Sequence, residues 1–234
     1  MVLDLLRFTY FPLWAKGPGP ALALEHSGLR WRGEWPAEWA LLKSNTAWSK
    51  LPLLEVPTGS DGSPLAIGHE LAILSWIARS VPSMRGSPRD IAASDQLMCE
   101  CEDIYAKLTK YQPTTRIPNK VPSAELAAFW KASDRTLHNR EQGLHCNLAN
   151  LDAFAANYPD ALYTQTGTSV GECKLFSTLH ALVLIEPQVL RTHARLEAFY
   201  EGFAAHEATK SILGTGGNMP GVFEQYFVRG EGQD

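Results

Sequence analysis

The sequence predicts two packed units, a small mixed α/β domain followed by an all-helical one. Three observations carry that reading. The first eighty residues alternate short strand-like and helix-like segments in the order β-α-β-(α)-β-β-α. The stretch Val81-Pro82-Ser83-Met84-Arg85-Gly86-Ser87-Pro88 then breaks the pattern with linker composition. Beyond it, apolar residues recur at three-to-four spacing and read as helices. A small sheet followed by a helical bundle implies two units packed together, with bounds at 1–83 and 93–234 and a linker over 84–92.

Each element has a local reason. Residues 5–11, Leu-Leu-Arg-Phe-Thr-Tyr-Phe, are rich in strand formers. Pro12 to Pro20 reads as a loop, and Pro18 and Pro20 suit a first helical turn, where a missing N–H costs little. Ala21 to Ser27 continues that helix, and Gly28 fits the left-handed position that closes it. Leu29 to Glu34 reads as a second strand, and Pro36 to Lys50 as a short helix and a loop. Leu51 to Val56 and Pro64 to Ile67 form a hairpin around the turn Thr-Gly-Ser-Asp-Gly-Ser at 58–63. His69 to Arg79 is a helix whose apolar side is Leu71, Ile73, Leu74 and Ile77.

In the second unit, Leu97, Met98, Cys101, Ile104, Tyr105 and Leu108 mark an amphipathic helix. Residues 112–122 form a proline-broken connector. Leu126, Phe129 and Trp130 mark the next helix, and Leu144, Leu148, Leu151 and Ala155 another. Residues 173–185 become apolar on nearly every side, which places that helix in the middle of the core. Leu196, Phe199, Tyr200 and Phe203 mark a further one.

Composition narrows the function classes. The formal charge of −4 offers no broad basic face for a phosphate backbone, so nucleic acid is not an expected partner. No run approaches about 18 apolar residues, so no transmembrane helix is expected. The opening Met-Val-Leu-Asp-Leu-Leu-Arg lacks a basic n-region and a small-residue cleavage site, so a signal peptide is not expected either. Cys99, Cys101, Cys146 and Cys173 read as reduced thiols of a cytoplasmic protein. Cys99 and Cys101 point apart on a helix, and His138 and His145 have Gly143 between them, so no metal site is expected. Gly214-Thr215-Gly216-Gly217-Asn218 lacks the Lys-Ser/Thr of a phosphate loop.

Four segments in order resemble the cytosolic glutathione transferases of the tyrosine type. Thr9-Tyr10-Phe11-Pro12 resembles the strand end that carries the catalytic tyrosine of the alpha, mu, pi and sigma classes. Lys50-Leu51-Pro52-Leu53 resembles the segment whose cis-proline opens the third strand. Glu70-Leu71-Ala72-Ile73-Leu74-Ser75-Trp76-Ile77-Ala78-Arg79 resembles the helix after the hairpin. Ser169-Val170-Gly171-Glu172 resembles the Ser/Thr-x-x-Asp box that opens the buried helix of the second domain. That box is a folding device, in which side chain and backbone satisfy each other's orphan groups. The resemblance spans about Leu5 to Phe203. It implies an α/β thioredoxin-like N-terminal domain, an all-α C-terminal domain and a homodimer.

The resemblance also implies a chemistry. The nucleophile is the thiol of glutathione, a co-substrate, and no other cofactor is implied. A free thiol titrates near 8.5, and lowering that by about 2 units needs ~2.7 kcal/mol of preferential anion stabilisation. Tyr10 would donate the hydrogen bond that supplies it. Leu51, ahead of Pro52, would pair its backbone with the tripeptide. Lys43, with Trp39 or Trp35, would face the glycine carboxylate. His69 and Glu70 would line the γ-glutamyl end, where the family usually has a serine in the place of Glu70. Lys16 falls where relatives carry an arginine, and Glu100 near an acid that faces the ligand's ammonium. Leu13, Trp14, Tyr105 and Tyr111 would wall the pocket of a small apolar electrophile. Without the resemblance, Tyr10 reads as a core tyrosine and Lys43 as a solvated charge. A non-catalytic carrier or interaction module on the same scaffold is the alternative. A thioredoxin-like redox protein is disfavoured, because Cys-x-x-Cys is absent.

Overall fold

A computed structural model describes residues 5–57, 64–118, 120–131, 136, 142–157, 168–231 and 233. The expected turn at 58–63 and His138 lie outside the described residues. The first unit is a four-stranded sheet in the order β2-β1-β3-β4. Its strands are β1 (Leu6–Thr9), β2 (Trp31–Glu34), β3 (Leu53–Val56) and β4 (Leu65–Gly68). β1 runs parallel to β2 and antiparallel to β3, and β3 and β4 form the antiparallel pair the hairpin pattern predicts.

Parallel β1 and β2 need a crossover, and α1 (Pro18–Ser27) supplies it. Prolines at its start and Gly28 in the left-handed region at its end frame it as the sequence predicts. Residues 18–24 are all buried, because α1 is packed by helices of both units. α2 (Trp39–Asn45) buries none of its residues. α3 (Glu70–Ser80) turns Ile73, Leu74 and Ile77 to the core.

The second unit comprises α5 (Pro88–Tyr111), α6 (Ser123–Lys131), α7 (Leu144–Ala155), α8 (Val170–Ile185), α9 (Ala194–Ala205) and α10 (Glu207–Thr215). A one-turn helix, α4 (Pro82–Arg85), precedes it. α8 is the central rod, buried almost throughout, and it packs on α5, α1, α3 and α9. Its start is the expected capping box. Glu172 N–H donates to Ser169 Oγ at 3.2 Å, and Ser169 N–H donates to Glu172 Oε2 at 2.7 Å.

The stretch 84–92 is not an irregular linker. Ser87 caps α5 through a second box with Asp90, and Pro88 occupies the first helical turn, so 88–92 is helix. Here Pro, Gly and Ser punctuate two helices and do not loosen the chain.

Beyond α10 the chain turns sharply. Gly216 and Gly217 both have positive φ, 84° and 62°, and a Cβ on Gly216 would lie 2.0 Å from Gly221 O. Residues 218–228 then run as a strap across both units. Asn218 O accepts from Gly33 N–H at 2.8 Å. Glu224 donates to Pro12 O at 3.1 Å and accepts from Trp14 N–H at 2.6 Å. On the other side, Tyr226 O accepts from Thr115 N–H at 2.9 Å, and Val228 N–H donates to Pro113 O at 3.1 Å. Glu25 of α1 fixes the root of the strap. Its carboxylate accepts from Trp31 Nε1 at 3.0 Å, Ser211 Oγ at 2.9 Å and Asn218 Nδ2 at 3.1 Å. No periodicity in the sequence announces the strap.

Candidate active site

Tyr10 leaves the end of β1, held to β2 by its N–H bond to Glu34 O at 3.2 Å. The β1–β3 register pairs Thr9 with Leu53, and one further step brings Tyr10 opposite Pro52. The Leu51-Pro52 peptide is cis. Neither the N–H nor the C=O of Leu51 is bonded to a described residue, so both groups stand open at the edge ahead of Pro52. Two of the expected site elements therefore meet at one sheet end.

The Tyr10 side chain is 6% exposed. Its ring lies against Gly17, where a Cβ would fall 2.0 Å from Cδ1, so only glycine fits there. Its hydroxyl accepts from Lys16 N–H at 2.8 Å. That contact uses a lone pair and leaves the hydroxyl proton without an acceptor among the described residues. Burial, opposed by the Lys16 contact, pushes the phenol above its ordinary range, so it stays protonated as a donor.

At the expected polar end, His69 has φ 68° and opens α3, with its ring centroid 5.5 Å from that of Trp48. Glu70 takes a different course from the one its place in the sequence implies. It is 3% exposed and turns into the interface between the units. There Lys174 Nζ of α8 donates to Glu70 Oε2 at 2.6 Å and lies 2.8 Å from Glu102 Oε1. Lys16 Nζ lies 2.6 Å from Glu102 and 3.5 Å from Glu70. Two carboxylates thus share two ammonium groups. Glu70 Oε1 has no hydrogen-bond partner among the described residues, and a Cβ on Gly19 would lie 3.0 Å from it.

Burial is the largest influence on Glu70 and raises its pKa against the pull of Lys174 and Lys16. Burial also opposes the Lys174 charge, but Glu70 and Glu102 outweigh it and raise that pKa too. The two directions compete over one proton. With carboxylates at 2.6 and 2.8 Å, the lysine is the member whose charge is fixed. The likeness in sequence did not point to Lys174 or Glu102. The signal is in the sequence nonetheless, as the one lysine of a helix that is buried almost throughout, where a charge needs a partner.

The other expected residues divide. Tyr105 joins the Tyr10 side, with Lys16 Nζ 4.3 Å from its ring centroid. Leu13 is bridged to Glu224 of the strap. Trp14 is a core residue and not a pocket wall. It is 2% exposed, its Nε1 donates to Ser177 O at 2.8 Å, and it packs on His180. Tyr111 stacks on Phe129 at 5.0 Å, away from the Tyr10 group, because the six residues separating it from Tyr105 turn it to another side of α5. Trp39 packs edge-on to Phe11 at 5.4 Å, and Trp35 on Phe223 of the strap at 5.4 Å. Lys43 is exposed on α2. Glu100 accepts from Asn147 Nδ2 at 2.7 Å on the α5–α7 side. Among the described residues, no helix is long and apolar enough to cross a membrane.

No family model matches the chain. One stretch is 31% identical over 108 residues to glutathione S-transferase 1 of Ascaris suum, covering 44% of this chain and 48% of that protein. The chain thus spans about half the length of the curated relative it matches. Solved structures align far more fully. A Fasciola hepatica sigma class glutathione transferase superposes with a TM-score of 0.70 at 20% identity, covering 91% of this chain and 96% of that one. The glutathione S-transferase of Ascaris lumbricoides gives 0.68 at 20% identity, covering 90% and 96%. A pi-class glutathione S-transferase of Onchocerca volvulus gives 0.70 at 18% identity, covering 88% and 90%. A thioredoxin-like sheet domain joined to a helical domain, in the glutathione transferase fold, is the architecture of this chain.

Proposed function

We propose that this chain is a glutathione transferase of the tyrosine type, joining the thiol of glutathione to a small apolar electrophile. The observation that carries the reading is the Tyr10 hydroxyl. It stands at the end of β1 opposite cis-Pro52, its lone pair bound by Lys16 N–H at 2.8 Å and its proton without an acceptor among the described residues. A phenol held in that state is a ready donor to a sulfur anion. A hydrogen bond to a charged acceptor contributes about 1.5–3 kcal/mol, enough to lower a thiol pKa by one to two units. Leu51 would hold the peptide backbone, and the first N–H groups of α3 beyond His69 would take the γ-glutamyl carboxylate. Trp39 and Lys43 would close over the glycine end. A homodimer in the cytoplasm, as in the proteins this chain resembles, belongs to the same proposal.

Glu70 favours a second reading. Its carboxylate offers no hydroxyl to a ligand and is committed to Lys174. A scaffold that binds without turnover would look the same. Retention on immobilised glutathione, with conjugation assays of wild type and Tyr10→Phe, decides between the two. Retention and turnover that falls in the variant support the transferase. Retention without turnover, or absence of both in wild type, supports the carrier or interaction module.

A further inference from the structure

Tyr10 is oriented by an amide that belongs to a loop. Lys16 N–H donates to its hydroxyl oxygen at 2.8 Å, and the Gly17 amide acts on the same oxygen less strongly. A donor on that oxygen turns the phenol proton the other way, and it polarises the O–H so that the proton makes a stronger bond. Residues 12–17 lie between β1 and α1, outside the strands and helices. Trp14 N–H is bound to Glu224 O at 2.6 Å on one side, and Gly17 O accepts from Ala21 N–H at 3.1 Å on the other. Between these two fixed points the side chain of Lys16 reaches across to the second unit.

There α5 presents Glu102. Both its oxygens accept from Lys16 Nζ, Oε1 at 2.7 Å and Oε2 at 2.6 Å. The same ammonium lies 4.3 Å from the ring centroid of Tyr105, three residues further along α5. Lys174 Nζ, 2.8 Å from Glu102 Oε1, holds the carboxylate as well. Burial works against the charge on Glu102, yet Lys174 and Lys16 keep its pKa below the usual carboxylate range, so the anchor is ionised at neutral pH. Glu70 is the rival acceptor, its Oε2 3.5 Å from Lys16 Nζ. A lysine released from Glu102 would swing towards Glu70 and carry its own amide with it.

We propose that Glu102 is a positioning residue for Tyr10, fixing the main chain of Lys16 so that the phenol proton stays turned towards the glutathione sulfur. The inference rests on the transferase reading. Glu102 acts at one remove, through the Lys16 side chain and then its amide. Tyr10 follows β1 of the first unit and its anchor sits on α5 of the second, so the donor is set only when the two units are docked. The sign of the effect separates this role from plain electrostatics. Removing a nearby anion should by itself favour the thiolate and lower the thiol pKa, whereas losing the position of the donor should raise it.

The test titrates the thiolate absorbance of glutathione bound to wild type, Glu102→Gln and Glu102→Asp. The Glu102 side chain is 32% exposed, so folding is expected to survive its neutralisation. Glu102→Gln should raise the bound thiol pKa by about half to one unit, the equivalent of one ordinary hydrogen bond. Below that pKa kcat/KM should fall about three- to tenfold, and at high pH it should converge on wild type. Affinity for S-methylglutathione, which has no thiol to ionise, should stay within about twofold. Glu102→Asp, which keeps the charge, should recover most of the shift. In a Tyr10→Phe background Glu102→Gln should move the thiol pKa by less than about 0.2 unit, because its route to the sulfur is gone. A thiol pKa lowered or unchanged in Glu102→Gln, or raised equally in the Tyr10→Phe background, overturns the role of Glu102 alone. Should Glu102→Gln not fold, Lys16→Met cuts the same tether from its other end and is judged by the same pair of backgrounds. A wild-type protein that does not bind glutathione overturns the transferase reading and this inference with it.

Discussion

Replacing Lys174 with methionine tests what holds the two units together. The perturbation leaves Glu70, 3% exposed, without the ammonium 2.6 Å from its Oε2, with only Lys16 at 3.5 Å as compensation. Glu102 keeps its 2.6 Å contact to Lys16 and suffers less. Removing one partner of a buried ion pair costs about 3–5 kcal/mol, because the remaining charge stays desolvated. In a chain of this size 1 kcal/mol shifts Tm by about 2–4 °C, so the expected fall is roughly 6–20 °C. Thermal denaturation measures the fall in Tm, and urea denaturation followed by circular dichroism and tryptophan fluorescence the loss in free energy. The double variant Glu70→Leu/Lys174→Met should recover most of the loss, since an apolar pair of similar volume needs no solvation. A single variant within about 1 kcal/mol of wild type, or a double variant as unstable as the sum of the singles, would refute the reasoning.

Other outcomes follow from the same geometry. Tyr10→Phe should raise the pKa of bound glutathione by one to two units and lower turnover at pH 7 about tenfold or more, read from thiolate absorbance and initial rates. Gly17→Ala places a methyl 2.0 Å from the Tyr10 ring, so a loss of about 1–3 kcal/mol and of glutathione retention is expected, in calorimetry and on the affinity resin. Burial lowers His26 and His180 to about 4, so their folded pKa values lie below the unfolded value near 6.5. Their contribution is complete above pH 6.5 and is lost as pH falls towards 4, at most about 1.4 kcal/mol per pH unit for each; denaturation at pH 7, 5.5 and 4.5 should show that slope, and His180→Phe should flatten it. Ser169→Ala removes the acceptor for Glu172 N–H and should cost about 0.5–2 kcal/mol with activity per folded molecule unchanged.

Most of the fold was legible because each element carries a local reason. Gly28 closes α1 in the left-handed region, Ser169 and Glu172 cap α8, and Leu97 to Leu108 trace the buried stripe of α5. The boundary at 84–92 misled because Pro, Gly and Ser serve helix starts as readily as loops, and Ser87 with Asp90 decided the matter. Within the site, Tyr10 and Pro52 were legible because a strand end and its antiparallel partner fix both. Residues placed by tertiary packing were not. Trp14 is claimed by Ser177 and His180, contacts more than 160 positions away in the chain that no local pattern encodes. Tyr111 lies six residues beyond Tyr105, so the turn of the helix carries it to another side of α5, onto Phe129. The strap has no periodicity, because its partners are backbone groups of two loops and not a repeating face.

The carboxylate of Glu25 has a reach out of proportion to its size. It ties a β2 indole, an α10 hydroxyl and the first amide of the strap to one helix. Tension in any of the three is therefore shared by the others. Glu25→Gln should leave the core intact yet slacken that joint, so that amide hydrogens of Gly33, Trp14 and Glu224 exchange with deuterium sooner than those of α8. The root of the strap is in this sense held from the far end of α1, by a single carboxylate.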